Sequence, residues 1–492
     1  VTRSVLATAL VSIGLLVVGA VGSSASAKLA KELGPSVSLA EPSGGFVGQI
    51  ALAPEHGTAG TPVTVKGRNF PKDRDFDLAW RTMDGRWNTN DKGEYHGRSY
   101  APVAYRIARV HSDVQGNFEA HFTTPEDFGF QHDIVVQDGN RLLTQAGFDI
   151  DMTMDVTPAS GPVGTPITVE FKGIGWRQLE NSWDLVYDNA FTGWVSSVTT
   201  NGTARFTIPA TGRPGVHVLE AIHGEFTFPY RNPQQNPRPD RPRFVKQFTI
   251  TPGAPVLPPA PEAQLQTAPR GLPPQGDLKA DPPFAPVGTT VAIKGSGFKP
   301  GQTYKLAFAS MTGNRVGGVD MSEALSTLTE AVAGADGTAT FRIKAPDDLG
   351  GPHGLVVKDG NKASTGVFSI IPSALPLTAS KGPAGAPFSI HLKGVGWTET
   401  ANIYAMVYDN FYSGYACGFN SQGDVEIQMY ATGDPGWHFI DLYPAIYKGQ
   451  ESRPNNFRIP QLTYEADHPG EDLPRFSFAF EIVEGDLQGA TR

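Results

Sequence analysis

The stretch Gly288-Thr289-Thr290-Val291-Ala292-Ile293-Lys294-Gly295-Ser296-Gly297-Phe298 decides the fold, because its pattern is written four times along the 492-residue chain. Its counterparts are Gly60-Thr61-Pro62-Val63-Thr64-Val65-Lys66-Gly67-Arg68-Asn69-Phe70, Gly164-Thr165-Pro166-Ile167-Thr168-Val169-Glu170-Phe171-Lys172-Gly173 and Gly385-Ala386-Pro387-Phe388-Ser389-Ile390-His391-Leu392-Lys393-Gly394. In each, apolar and polar residues alternate with period two, the mark of a strand with one buried face. The glycines that follow allow a bulge or a positive φ, so that the next aromatic (Phe70, Trp176, Phe298 or Trp397) turns inward as an anchor.

A second repeat shows that the four openings fall into two pairs. Gly173-Ile174-Gly175-Trp176, Val186-Tyr187-Asp188-Asn189, Ala210-Thr211-Gly212 and His217 return as Gly394-Val395-Gly396-Trp397, Val407-Tyr408-Asp409-Asn410, Ala431-Thr432-Gly433 and His438, each 221 positions later (397 against 176, 409 against 188, 438 against 217). The chain is a duplication, and repetition at a fixed period signals an array of similar modules. The boundaries read as a signal peptide at 1–27, a small polar spacer at 28–47, modules at 48–151, 152–250, 278–372 and 373–484, and a polar tail at 485–492. A proline-rich linker at 251–277 separates the pairs and predicts a semi-rigid strut. Within each pair the join is short, so modules one with two and three with four are expected to dock.

The run 287–301, continued by Ala335-Asp336-Gly337-Thr338-Ala339-Thr340-Phe341-Arg342-Ile343, Pro346 and His353-Gly354-Leu355-Val356-Val357-Lys358-Asp359-Gly360, resembles bacterial extracellular immunoglobulin-like modules of the IPT/TIG type. The likeness is strongest over 284–371 and weaker elsewhere. It implies secreted or surface-attached sandwiches used as spacers, adhesion modules or accessory domains of enzymes. The fold class expected is all-β, with four tandem immunoglobulin-like β-sandwich domains in two duplicated pairs.

Composition agrees with many short strands joined by turns: 56 glycines and 41 prolines are more than a helical enzyme carries. A net charge of −9 supplies no basic stripe for phosphates, which argues against nucleic acid as a partner. Arg3, the apolar run 5–21 and Ala25-Ser26-Ala27 read as a secretory signal cleaved after Ala27, giving a secreted or cell-surface protein that meets the membrane only through that segment. The single cysteine, Cys417, excludes disulfides within the chain and cysteine-based zinc sites, and reads as a small packing residue. Residues 81–100 read as an exposed loop, and 322–332 as a strand in preference to a helix.

The sequence contains neither a His-Glu-x-x-His motif, a Gly-x-Ser-x-Gly elbow nor a phosphate-binding loop. The repeated polar set is Asp188, Asn189 and His217 with Asp409, Asn410 and His438, beside the rings of Tyr187, Phe191, Trp194, Tyr408, Tyr412 and Tyr415. Three readings stand side by side: a hairpin turn held by its own aspartate, a calcium site short of the six to eight oxygens that ion takes, or a sugar-binding platform of rings with polar partners. No cofactor is required. The function implied is a non-catalytic adhesion or scaffold protein, with cell-envelope polysaccharide or an extracellular protein bound through modules two and four. The alternative is an extracellular polysaccharide-acting hydrolase or its accessory subunit.

Overall fold

The computed structural model describes residues 24–42, 44–90, 92–181, 183–225, 228–235, 242–266, 269–314, 319–447 and 458–486. The apolar run at 5–21 and most of the tail at 485–492 lie outside the described residues. Each repeat folds as two packed sheets. In the second module the small sheet orders Thr153–Thr157, Pro166–Lys172 and Ala204–Pro209; the large one orders Ser160–Gly161, Phe244–Ile250, Gly215–Glu225, Trp183–Tyr187 and Ala190–Val195. All neighbours are antiparallel except Ser160–Gly161, which runs parallel to the last strand after the chain crosses from one sheet to the other. The third and fourth modules repeat this order, and the first adds short strands to it. Two sheets with this crossing define an immunoglobulin-like sandwich.

The alternation in the opening strands explains why they sit where they do. Val63 and Val65, Ile167, Val169 and Phe171, Val291 and Ile293, and Phe388, Ile390 and Leu392 are all buried, each set in the core of its own module. Phe70 and Phe298 are buried anchors in their modules. Trp397 is buried against Leu349 and Phe419, between the third and fourth modules, and Trp176 is half-buried under the Arg177 guanidinium.

Two stretches differ from the sequence expectation. Residues 28–47 do not form a loose spacer: a helix at Ser24–Glu32 buries Leu29, Ser36–Val37 pairs with Tyr105 and Ala104, and Glu41–Pro42 lies parallel to Arg141 and Leu142. Nor are residues 81–100 an exposed loop. They belong to a long hairpin, Arg74–Thr89 with Tyr95–Ser112, whose far end reaches beyond its own module. Glycine, asparagine and arginine suggest a loop, but contacts from elsewhere in the chain hold this arm in place as a hairpin. Val319–Val332 is a strand, paired with Thr303–Asn314.

The joints within the two pairs are built alike. Gly129 N donates to Ile174 O and Gly350 N to Val395 O, each at 3.1 Å. A Cβ on Gly129 would lie 1.7 Å from Gly173 O, and one on Gly350 1.9 Å from Gly394 O, so only glycine lets these backbones meet. A buried histidine braces each joint. His132 Nδ1 and Nε2 face the carbonyls of Arg81 and Phe128, and His353 those of Ala309 and Leu349. Trp80 and Phe308 stack on the two imidazoles at 4.5 and 4.6 Å, and Trp176 and Trp397 meet them at an angle at 5.3 and 5.4 Å.

The pairs themselves are not held apart on a strut. The second module packs against the fourth, so that Val407, Tyr443 and Leu462 join the core cluster of the second. The proline-rich segment runs along both as a strap: Val256 N donates to Val163 O, Gln264 exchanges two hydrogen bonds with Ser477, and Arg270 pairs with Asp472 at 3.0 Å. Outside a short 3-10 turn at Pro261–Gln264, proline keeps the segment extended, and extension lets it follow the surface instead of spanning solvent.

Candidate functional site: the seam between the second and fourth modules

The two aromatic hairpins turn through Asp188-Asn189 and Asp409-Asn410, with φ of 48° and 67° in one and 48° and 63° in the other. Asp and Asn tolerate this left-handed pair of conformations, which matches the twist of the flanking strands. Each aspartate then uses both carboxylate oxygens. Asp188 Oδ1 accepts from Val218 N at 2.9 Å and Oδ2 from His217 Nδ1; Asp409 does the same with Phe439 N and His438 Nδ1. The other imidazole nitrogens face Arg213 O and Asp434 O at 2.8 and 2.9 Å. Tyr187 and Tyr408 stack on the two histidines and donate their hydroxyls to Thr211 O and Thr432 O.

With the Asp409 carboxylate at one nitrogen and the Asp434 carbonyl at the other, His438 sits where both nitrogens serve best as donors, the imidazolium form. Burial pulls the His438 imidazolium down, but the Asp409 hydrogen bond and charge outweigh it and raise its pKa above the usual value. A cation at either turn would have to displace a histidine from its aspartate. Among the described residues no group of three or more His, Cys, Asp or Glu side chains converges as a metal would need.

Past the turns the copies diverge. Asn189 is exposed, whereas Asn410 is 1% exposed and donates to Pro209 O at 2.8 Å and Thr211 Oγ1 at 3.0 Å, while Thr192 Oγ1 donates to its backbone oxygen. Phe191 meets its own counterpart Tyr412 edge-on at 6.1 Å, and Arg213 pairs with its counterpart Asp434. Trp194 is only 2% exposed, covered where its backbone pairs with Pro460 and Leu462 and its ring meets Trp87. The two hairpins are therefore not separate solvent-facing platforms; they face each other across one seam. Along it runs a row of rings: Phe228 packs on Phe191, Phe191 on Tyr412, the Tyr412 hydroxyl donates to Arg458 O, and the Arg458 guanidinium lies over Tyr415 and Tyr447. Phe228 at 57% and Tyr415 at 43% are the exposed ends of that row.

Sequence reading missed the residues that close the seam. Asp467 is buried; its Oδ1 accepts from Trp87 Nε1 at 2.8 Å, Thr199 N at 2.9 Å and Thr199 Oγ1 at 2.7 Å, and its Oδ2 from Val198 N at 2.8 Å. One carboxylate thus ties the arm of the first module and the second module to the long loop of the fourth. Glu399 adds a second tie to the arm, accepting from Tyr95 N at 2.7 Å while its own N donates to Gly93 O. Asp184, opposite Trp194 in the ladder, is fully buried, and burial alone pushes its carboxyl well above the usual range, favouring the neutral acid.

No protein-family model and no curated protein sequence matches the chain. Among solved structures it is similar to the D1–D4 ectodomain fragment of ICAM-5 (13% identity over 89% of this chain and 100% of that one, TM-score 0.17), a Salmonella alpha-2-macroglobulin (10%, 87% and 30%, TM-score 0.18) and the plexin A4 extracellular region (9%, 82% and 35%, TM-score 0.15). The chain spans about 30% of the alpha-2-macroglobulin and 35% of the plexin region. At these TM-scores the likenesses carry no argument about function. The fold itself is clear from its own sheets: an all-β protein of tandem immunoglobulin-like sandwiches.

Proposed function

We propose that the chain is an exported, non-catalytic adhesion or scaffold component that takes cell-envelope polysaccharide or an extracellular protein along the aromatic seam of its second and fourth modules. Export rests on the apolar run at 5–21 and the small residues before Ala27. The observation that carries the reading is the row of rings from Phe228 through Phe191 and Tyr412 to Tyr415, exposed at both ends beside a guanidinium. Aromatic faces with few polar groups suit sugar rings and peptide side chains alike. The hydrolase alternative calls for a pair of free carboxylates flanking the scissile bond. The repeated carboxylates, Asp188 and Asp409, are instead engaged with histidine and backbone.

The test is retention of the purified protein on immobilised cell-wall polysaccharide and on whole cells. Phe228→Ala combined with Tyr415→Ala is expected to lower retention at least tenfold. Retention unchanged in that variant defeats the seam as the binding surface, and release of reducing sugar that disappears in Asp188→Asn with Asp409→Asn defeats the non-catalytic reading.

A further inference from the structure

Among the described residues, the large sheet of the third module ends on an open margin, while the corresponding margin of the first module is closed by the chain itself. In the first module Ser36–Val37 lies antiparallel beside Tyr95–Ser112, with Ser36 opposite Tyr105 and Val37 opposite Ala104, and Arg106 N donates to Pro35 O. In the third module the terminal strand, Val319–Val332, pairs with Thr303–Asn314 on one side and with no described strand on the other.

The ladders set the two margins in register. Trp80 faces Tyr105, and Phe308, which stacks on its joint histidine as Trp80 does, faces Ser326; Arg81 faces Ala104 as Ala309 faces Leu325. The place filled by Ser36–Val37 in one module therefore corresponds to the margin of Leu325-Ser326 in the other. There residues 322–327 are all exposed. An unpaired margin presents a row of N–H and C=O groups to any extended chain that can reach it.

We propose that this margin of the third module receives an extended, basic segment of another polypeptide, added antiparallel as a strand in the way Ser36–Val37 is added to the first module. In strand addition the main chain supplies the affinity and alternate side chains the selectivity. Within 321–332 the charged side chains are Glu323 and Glu330; Glu330 already pairs with Lys305 across the ladder at 3.2 Å, so Glu323, inside the exposed run 322–327, sets the charge of this margin in a chain that carries −9. A basic segment is complementary to it. A second copy of this chain would bring the same acidic residues and the same net charge. The surrounding serines, threonines and alanine leave room for small and β-branched side chains, the composition of the first module's own cap, Pro35-Ser36-Val37-Ser38.

The probe is a fluorescein-labelled synthetic peptide, Lys-Pro-Ser-Val-Ser-Val-Lys, with its counterpart carrying glutamate in place of both lysines, followed by fluorescence anisotropy against the full chain. The lysine peptide is expected to bind at least tenfold tighter than the glutamate peptide, and Glu323→Lys to reduce that preference without altering the fold. Alternate residues of an antiparallel strand point their N–H outward, so one of Leu325→Pro and Ser326→Pro removes an outward donor while sparing the ladder to Thr303–Asn314. That variant is expected to abolish binding with an unchanged circular dichroism spectrum. Equal binding of both peptides, binding indifferent to both prolines and to Glu323→Lys, or a wild-type dimer in sedimentation that either proline dissociates, would each overturn the proposal.

Discussion

The joint between modules one and two and the joint between modules three and four share one design, whereas the seam that closes the molecule has no internal copy. At the joints the main parts are doubled: Gly129 and Gly350 against a facing carbonyl, His132 and His353 between two carbonyls, Trp176 and Trp397 against those imidazoles. At the seam, Asp467 and the arm of the first module act once each. Repetition built the halves; at the seam some counterparts meet, Phe191 with Tyr412 and Arg213 with Asp434, while Asp467 and Trp87 add a tie made only once.

The sharpest way to break this contrast is Asp467→Ala, which leaves the donors of Trp87, Val198 and Thr199 unmatched at one buried point. A loss of about 1–3 kcal/mol for each buried donor left unmatched is expected, read from the denaturant midpoint and from a shift in tryptophan emission. If instead the midpoint stays where it was, the seam is not holding the halves. Next come the joints. Gly129→Ala and Gly350→Ala should each cost about 2–3 kcal/mol, and by nearly equal amounts; a large inequality between them would show that the two joints only look alike.

Titration separates the two kinds of histidine. Burial lowers His353 below the usual value, its bonds to Ala309 O and Leu349 O notwithstanding. Its folded pKa lies below its unfolded one, so the unfolded state takes up the proton more readily, and stability from this site falls as pH drops from about 6.5. His438, raised, behaves oppositely: its contribution is full below about pH 6.5 and fades as pH rises through the folded pKa. Difference profiles of urea midpoint against pH for His353→Gln and His438→Gln should therefore slope in opposite senses; parallel slopes would contradict the assignment. The smallest effect is expected for Arg270→Ala, since its pair with Asp472 is half exposed on the arginine side and is worth about 1 kcal/mol or less. Its readout is limited proteolysis. The wild-type chain should resist cleavage within 251–277, and the variant should be cut there first.

What could be read in the sequence was whatever repeats at short range. The opening strands reveal themselves because Val291 and Ile293, or Ile390 and Leu392, alternate with polar neighbours and face a core. The turns at Asp188-Asn189 and Asp409-Asn410 follow from residues that accept positive φ. The burial of Trp194 does not follow, because what covers it is a loop more than 260 residues further on, and Trp87 meets Asp467 across 380 positions. Residues 81–100 carry the composition of a loop, and what holds them as a hairpin includes Glu399 and Asp467 in another module. No local pattern encodes such a partner. Likewise the proline-rich segment was legible as extended, but extension alone does not say whether a chain crosses solvent or lies along a surface.

That strap gives the molecule hidden length. Stretched from its ends, the folded body would first part at the seam and only then release the segment 251–277, which in polyproline form extends about 3.1 Å per residue, or roughly 80 Å in all. Once the seam parts, this segment is the chain's one covalent link between the first and second modules and the third and fourth.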